Sequence, residues 1–159
     1  MSAPADAGVI GRPEVLAIAV DVFATMVDGT PGTVGEWSGV FPGFTDPLVA
    51  WVDLHGAWSG QVAVETSTST AHELTRALLG MADDEPVGEA DLVDAFGEVA
   101  NVVGGNVKSL LPVAGTLGLP RVAVRPPDEG PLVHALHLGW GGRPLVVTVR
   151  GQGSRPAHR

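Results

Sequence analysis

From Glu89 to Leu111 the chain reads EADLVDAFGEVANVVGGNVKSLL. At about 100° per residue, Leu92, Phe96, Val99, Val103, Val107 and Leu110 fall within roughly 80° of one another. An apolar stripe of this length has to lie on an equally long apolar surface, so the segment predicts a long helix packed on a sheet, with Pro112 near its stop. On the opposite side Asp94, Glu98, Asn101, Gly105 and Lys108 share an arc of about 80°. Glu98 and Asn101, three residues apart, project side by side, and Gly105, one turn beyond Asn101, leaves a gap in the side-chain layer. Asn is a mediocre mid-helix residue, and each of the adjacent glycines 104 and 105 costs about 1 kcal/mol against Ala. Two explanations stay open on the pattern alone: a functional face, or an ordinary solvated one. Gly105 likewise either admits a partner or packs the helix on its own domain.

The rest of the chain supplies the surface that this helix needs. PEVLAIAVDVFATMV places Pro13 where a helix tolerates it and sets Val15, Ile18, Val22, Phe23 and Met26 at helical spacing. The Gly/Pro-dense stretch 28–47 predicts a long loop with at most one short strand, around Glu36 to Phe41. LVAWVDLHG and WSGQVAVET, separated near Gly56, form an antiparallel hairpin. Ser67, Ser69 or Thr70 caps a second helix with Leu74, Ala77, Leu78 and Met81 as its buried stripe, and acidic ADDEPVGE then loops into the long helix. LPRVAVR, LVHALHLGW and RPLVVTVR are further strands, the last two joined through Gly141 and Gly142. The expected fold class is α+β: a single domain over residues 11–150, with a largely antiparallel sheet and about three helices packed on it, and flexible tails at 1–10 and 151–159.

Charge and composition exclude several function classes. With 18 Asp and Glu against 9 Lys and Arg, the net charge of −9 removes long-range attraction to nucleic acid or anionic lipid. No apolar run is long enough to span a bilayer, and no leader pattern opens the chain, so a cytoplasmic location is expected. The absence of cysteine rules out disulfides, thiolate catalysis and Cys-based metal sites. His134 and His137, three apart in a strand, point to opposite faces, and the other histidines lie in separate elements, so no metal site is expected. Neither a nucleophile elbow nor a Walker or dinucleotide loop is present. Trp37, Trp51, Trp58 and Trp140 suit the core or its edges.

The segment DLVDAFGEVANVVGGNVKSLL resembles the signature helix of the CheX branch of the CheC/CheX/FliY family, phosphatases of phosphorylated CheY that carry Glu-x-x-Asn on an exposed helix. The likeness extends upstream through DLHGAWSGQVAVE and HELTRALLGM, and downstream to GLPRVAV, covering roughly residues 13–150. It implies a CheC-like fold and a CheY-like response regulator, phosphorylated on aspartate, as partner. It further implies Asn101 as the residue that holds the attacking water and Glu98 as the one that docks the partner's lysine. Asp94 and Gly105 would extend the partner contact. Magnesium is expected in the phosphorylated partner and no cofactor in this chain, and a homodimer joined through the sheet is expected. Some family members carry the motif twice; here the second position reads Glu73-Leu-Thr-Arg76, with Arg in place of Asn, which implies one site. A non-catalytic signalling or dimerisation module of the same fold is the alternative.

Overall fold

The computed structural model describes residues 10–29, 33–113, 115–125 and 130–153. Helix α1 spans Arg12–Val22, with Pro13 in its first turn, and runs directly into a π-helical turn at Phe23–Asp28. Val15, Ala19, Val22, Phe23 and Val27 are buried, while Ile18 and Met26, expected at the same helical spacing, are half-buried and pack against the edge of the core. Asp28 anchors the end of this turn far along the chain, accepting from Trp140 Nε1 at 3.0 Å and from the Thr33 hydroxyl. Gly29, at φ 71°, then turns the chain away.

The hairpin forms as its sequence predicts. Strand β2, Pro47–His55, pairs antiparallel with β3, Trp58–Ser67. Ser67 ends β3 and caps helix α2, Thr68–Leu79, by accepting from Thr70 N–H at 3.2 Å. The buried face of α2 differs from the expected stripe, being Thr70, Ala71, Leu74 and Thr75, with Ala77 exposed. Local hydrogen bonds make this possible: Thr75 Oγ1 donates to Ala71 O at 2.9 Å, and Thr70 Oγ1 accepts from the Ser67 hydroxyl at 2.9 Å, so neither hydroxyl is buried unpaired.

Helix α3, Glu89–Lys108, ends three residues before the expected limit. Acidic Glu89 and Asp91 in its first turn and Lys108 in its last complement the helix dipole. Short strands β1 (Val34–Glu36), β4 (Thr116–Leu117) and β5 (Arg121–Ala123) flank the long hairpin of β6 (Leu132–Trp140) and β7 (Arg143–Gly153). Gly141 and Gly142 both take positive φ at its turn, the requirement that selects Gly-Gly there. Among the described residues the sheet order is β1-β6-β7-β3-β2-β4, with β5 also on β2, and every pairing is antiparallel. The short strand expected near 36–41 lies earlier, at β1, because Val34 and Glu36 are the residues in register with Trp140 and Leu138.

Alternate residues of the hairpin, Ala50, Val52, Leu54, Val62 and Val64, share one core with all three helices. The result is an α+β domain with helices on one face of an antiparallel sheet. A smaller cluster of Val49, Trp51 and Ala63, with Ala123 against it, occupies the other face. Ile10 is buried and β7 continues through Gly153, so these residues, expected in the tails, belong to the packed structure; residues 1–9 and 154–159 lie outside the described residues.

Candidate functional site

Burial along α3 divides the helix sharply. Leu92, Phe96, Val99, Val103 and Val107 are buried against the sheet and the other helices. Asp94 and Glu98 are exposed, and Asn101, Gly105 and Lys108 are half-buried. Glu98 and Asn101 meet on the surface: Asn101 Nδ2 donates to Glu98 Oε1 at 3.5 Å, a long bond that another partner can displace at little cost. The Asn101 amide therefore has acceptor and donor capacity to offer a polar group arriving from solvent. Lys108 is turned toward its own domain, its Nζ donating to Gly115 O at 3.4 Å.

The glycines around Asn101 have distinct surroundings. A Cβ on Gly104 would collide with Val52 Cγ2 of β2 and lie 3.5 Å from Leu117 Cδ1, so this position brings α3 down onto the sheet. A Cβ on Gly105 would meet only Leu117 Cδ2, at 3.9 Å, an ordinary contact. A Cβ on Gly97, one turn before Asn101, would lie 3.4 Å from Pro120 Cβ and 3.8 Å from Val122 Cγ2. Asn101 is thus set between small residues on a flank bordered by the chain from Gly115 to Val122. That border has no signal in the helix pattern, and only the Leu119-Pro120 pair entering β5 hints at it.

A pair of substitutions separates packing from partner access. Gly104→Val is expected to lower stability by about 1–3 kcal/mol through overpacking against Val52. Gly105→Ala is expected to raise stability by up to about 1 kcal/mol, because the helix gains and nothing is displaced. Thermal melts of both variants read the result, and a Gly105→Ala chain less stable than wild type would contradict this packing.

The second motif position is occupied otherwise. Arg76 Nη1 pairs with Glu73 Oε2 at 3.2 Å and Arg76 Nε donates to Glu85 O at 2.8 Å, so its guanidinium holds the acidic loop onto α2. Among the described residues there is no cluster of three or more His, Cys, Asp or Glu placed to hold a metal ion, and no helix is long and apolar enough to cross a membrane.

Comparison with solved structures finds the same architecture in several chemotaxis proteins. Chemotaxis protein CheX from Vibrio vulnificus aligns at 17% identity over 89% of this chain and 95% of that chain, with TM-score 0.68. CheX from Desulfovibrio desulfuricans aligns at 20% identity over 88% and 97%, with TM-score 0.65. A third match, from the CheX-CheY-BeF3-Mg complex of Borrelia burgdorferi, has 18% identity over 88% and 96%, with TM-score 0.66. None of the curated proteins matches the sequence. The family model described as chemotaxis phosphatase CheX matches residues 48–127, which run from β2 through the two-faced helix to β5, and the chain accordingly belongs to the CheX family.

Proposed function

We propose that this chain is a phosphatase that hydrolyses the aspartyl phosphate of a CheY-like response regulator in the cytoplasm. The observation that carries this function is an exposed carboxylate and a half-exposed amide, Glu98 and Asn101, in mutual reach on a helix whose other side is sealed in the core. Membership of the CheX family and the solved complex of a CheX with CheY, beryllofluoride and magnesium support it.

The chemistry asks little of the helper. Water oxygen bonds to phosphorus as the bond from phosphorus to the aspartyl oxygen breaks, leaving a free carboxylate and inorganic phosphate that takes up the water's proton. Magnesium belongs to the phosphorylated partner, where it neutralises charge on the phosphoryl oxygens. A carboxylate aimed at that group would be repelled, whereas the neutral Asn101 amide accepts from the water or donates to it and holds it in line. Glu98, released from its long bond to Asn101, makes a charge-assisted bond to the partner's lysine and sets the register of the docked helix. Asp94 and Gly105 lie within the same contact. A homodimer joined through a sheet edge belongs to this assignment as well.

The test is a screen of the source organism's receiver domains, phosphorylated with acetyl phosphate, for faster loss of phosphate in the presence of this chain. Against the regulator found, Glu98→Ala is expected to raise KM about tenfold or more, the loss of one charge-assisted hydrogen bond. A chain that accelerates no regulator would sink the proposal; one that binds a phosphorylated regulator without accelerating it would leave a non-catalytic docking module.

A further inference from the structure

Beside the Glu98–Asn101 face lies a cleft of about 420 Å³ between α2, the first half of α3 and β5. Val87, Val93, Val122 and Val124 contribute its apolar wall, and His72 and Glu89 stand among them. Val93 and Val124 are 39% and 63% exposed, so this wall opens to solvent. Val93 precedes Asn101 by about 12 Å along the helix and lies about 80° around it. A protein contact of ordinary size covers about 800 Å² on each partner, a disc of about 16 Å radius, so a regulator seated on Asn101 also covers the cleft mouth.

The charge around this face is mainly acidic, with Arg121 and Arg125, next in sequence to the cleft residues Val122 and Val124, as the exposed cations on the β5 side. Between Arg76 and Lys108 the sequence contains Asp83, Asp84, Glu85, Glu89, Asp91, Asp94 and Glu98, and no Lys or Arg. All seven acids are exposed. The two flanking cations are engaged by their own domain, Arg76 with Glu73 and Glu85 O, Lys108 with Gly115 O. An acyl phosphate itself carries close to two negative charges, so it is repelled by such a face unless positive groups surround it.

We infer that the cleft is a second docking point for the response regulator assigned above, and that it takes an apolar side chain flanked by Lys or Arg on the regulator's surface. This rests on the proposed function and narrows the partner to a regulator with a basic rim beside its phosphorylation site. The apolar side chain replaces water in the cleft, and the flanking cations meet Glu89 and Asp94.

The experiment uses the full chain and the receiver domain found in the screen, phosphorylated with acetyl phosphate. Val93→Asp and Val124→Asp are expected to raise KM about tenfold each, with the loss in KM rather than kcat. Val40→Asp, at a 93% exposed position in the loop that follows β1, serves as control and leaves both constants as in wild type. Raising NaCl from about 50 to about 300 mM is expected to increase the wild-type KM several-fold. Unchanged KM in both cleft variants overturns the cleft while leaving the assigned reaction intact, and a KM indifferent to salt overturns the basic rim. A wild-type chain inactive on every receiver domain removes the underlying assignment instead.

Discussion

Asn101→Ala is expected to return the decay of the phosphorylated regulator to its own uncatalysed rate, a loss of about 100-fold or more of the acceleration, with the fold intact. The size follows from what the amide does in the proposed reaction: without it the attacking water is no longer held in line, and positioning is the main contribution that this chain makes. The fold should not notice. Asn101 is half-buried, and among the described residues its side-chain hydrogen bond is the long 3.5 Å one to Glu98, so the stability change is expected within about 0.5 kcal/mol. Asn101→Asp is the sharper companion, since it preserves shape and adds the charge that a phosphoryl group repels. Phosphate release and circular dichroism on the same preparations read both properties. Full acceleration by Asn101→Ala would mean that the water is held elsewhere.

The largest expected effect on stability lies across the same helix. Phe96 has no exposed surface and sits in the cluster shared by all three helices and the sheet. Phe96→Ala removes a whole ring from a packed interior and is expected to cost about 3–5 kcal/mol, a large share of the 5–15 kcal/mol typical of a domain. Urea unfolding monitored by circular dichroism would show a strongly lowered midpoint. Because the ring lies about 140° around the helix from Asn101, molecules still folded at low temperature should retain turnover per folded chain. A midpoint near that of wild type would contradict the placement of this side of α3 in the core.

How much of this was legible in the sequence depended on how local the cause was. The two-faced helix was readable because one period governs its whole length, and the 47–67 hairpin and the Gly141-Gly142 turn were readable because alternation and positive-φ glycines act between neighbours. The buried face of α2 departs from the apolar pattern because Thr70 and Thr75, polar by type, enter the core once their hydroxyls are paired locally. The π turn after α1 had no local sign, and its end is held by Asp28 and Trp140, 112 residues apart. Around the candidate site, the Glu98–Asn101 pair could be read from spacing, whereas the role of Gly104 against Val52 and the border formed by Gly115–Val122 exist only once β2 and β5 are beside the helix.

Arg76 limits how this domain can be altered. Its guanidinium is at once the residue standing where a second amide would be needed and the tether that holds Glu85 to α2. Swapping it for Asn would release the stretch that leads into Val87 and Glu89 before any new reactive position could form. Doubling the valency proposed for the chain would therefore require a replacement anchor in the same step, and the proposed function accordingly expects one regulator per polypeptide.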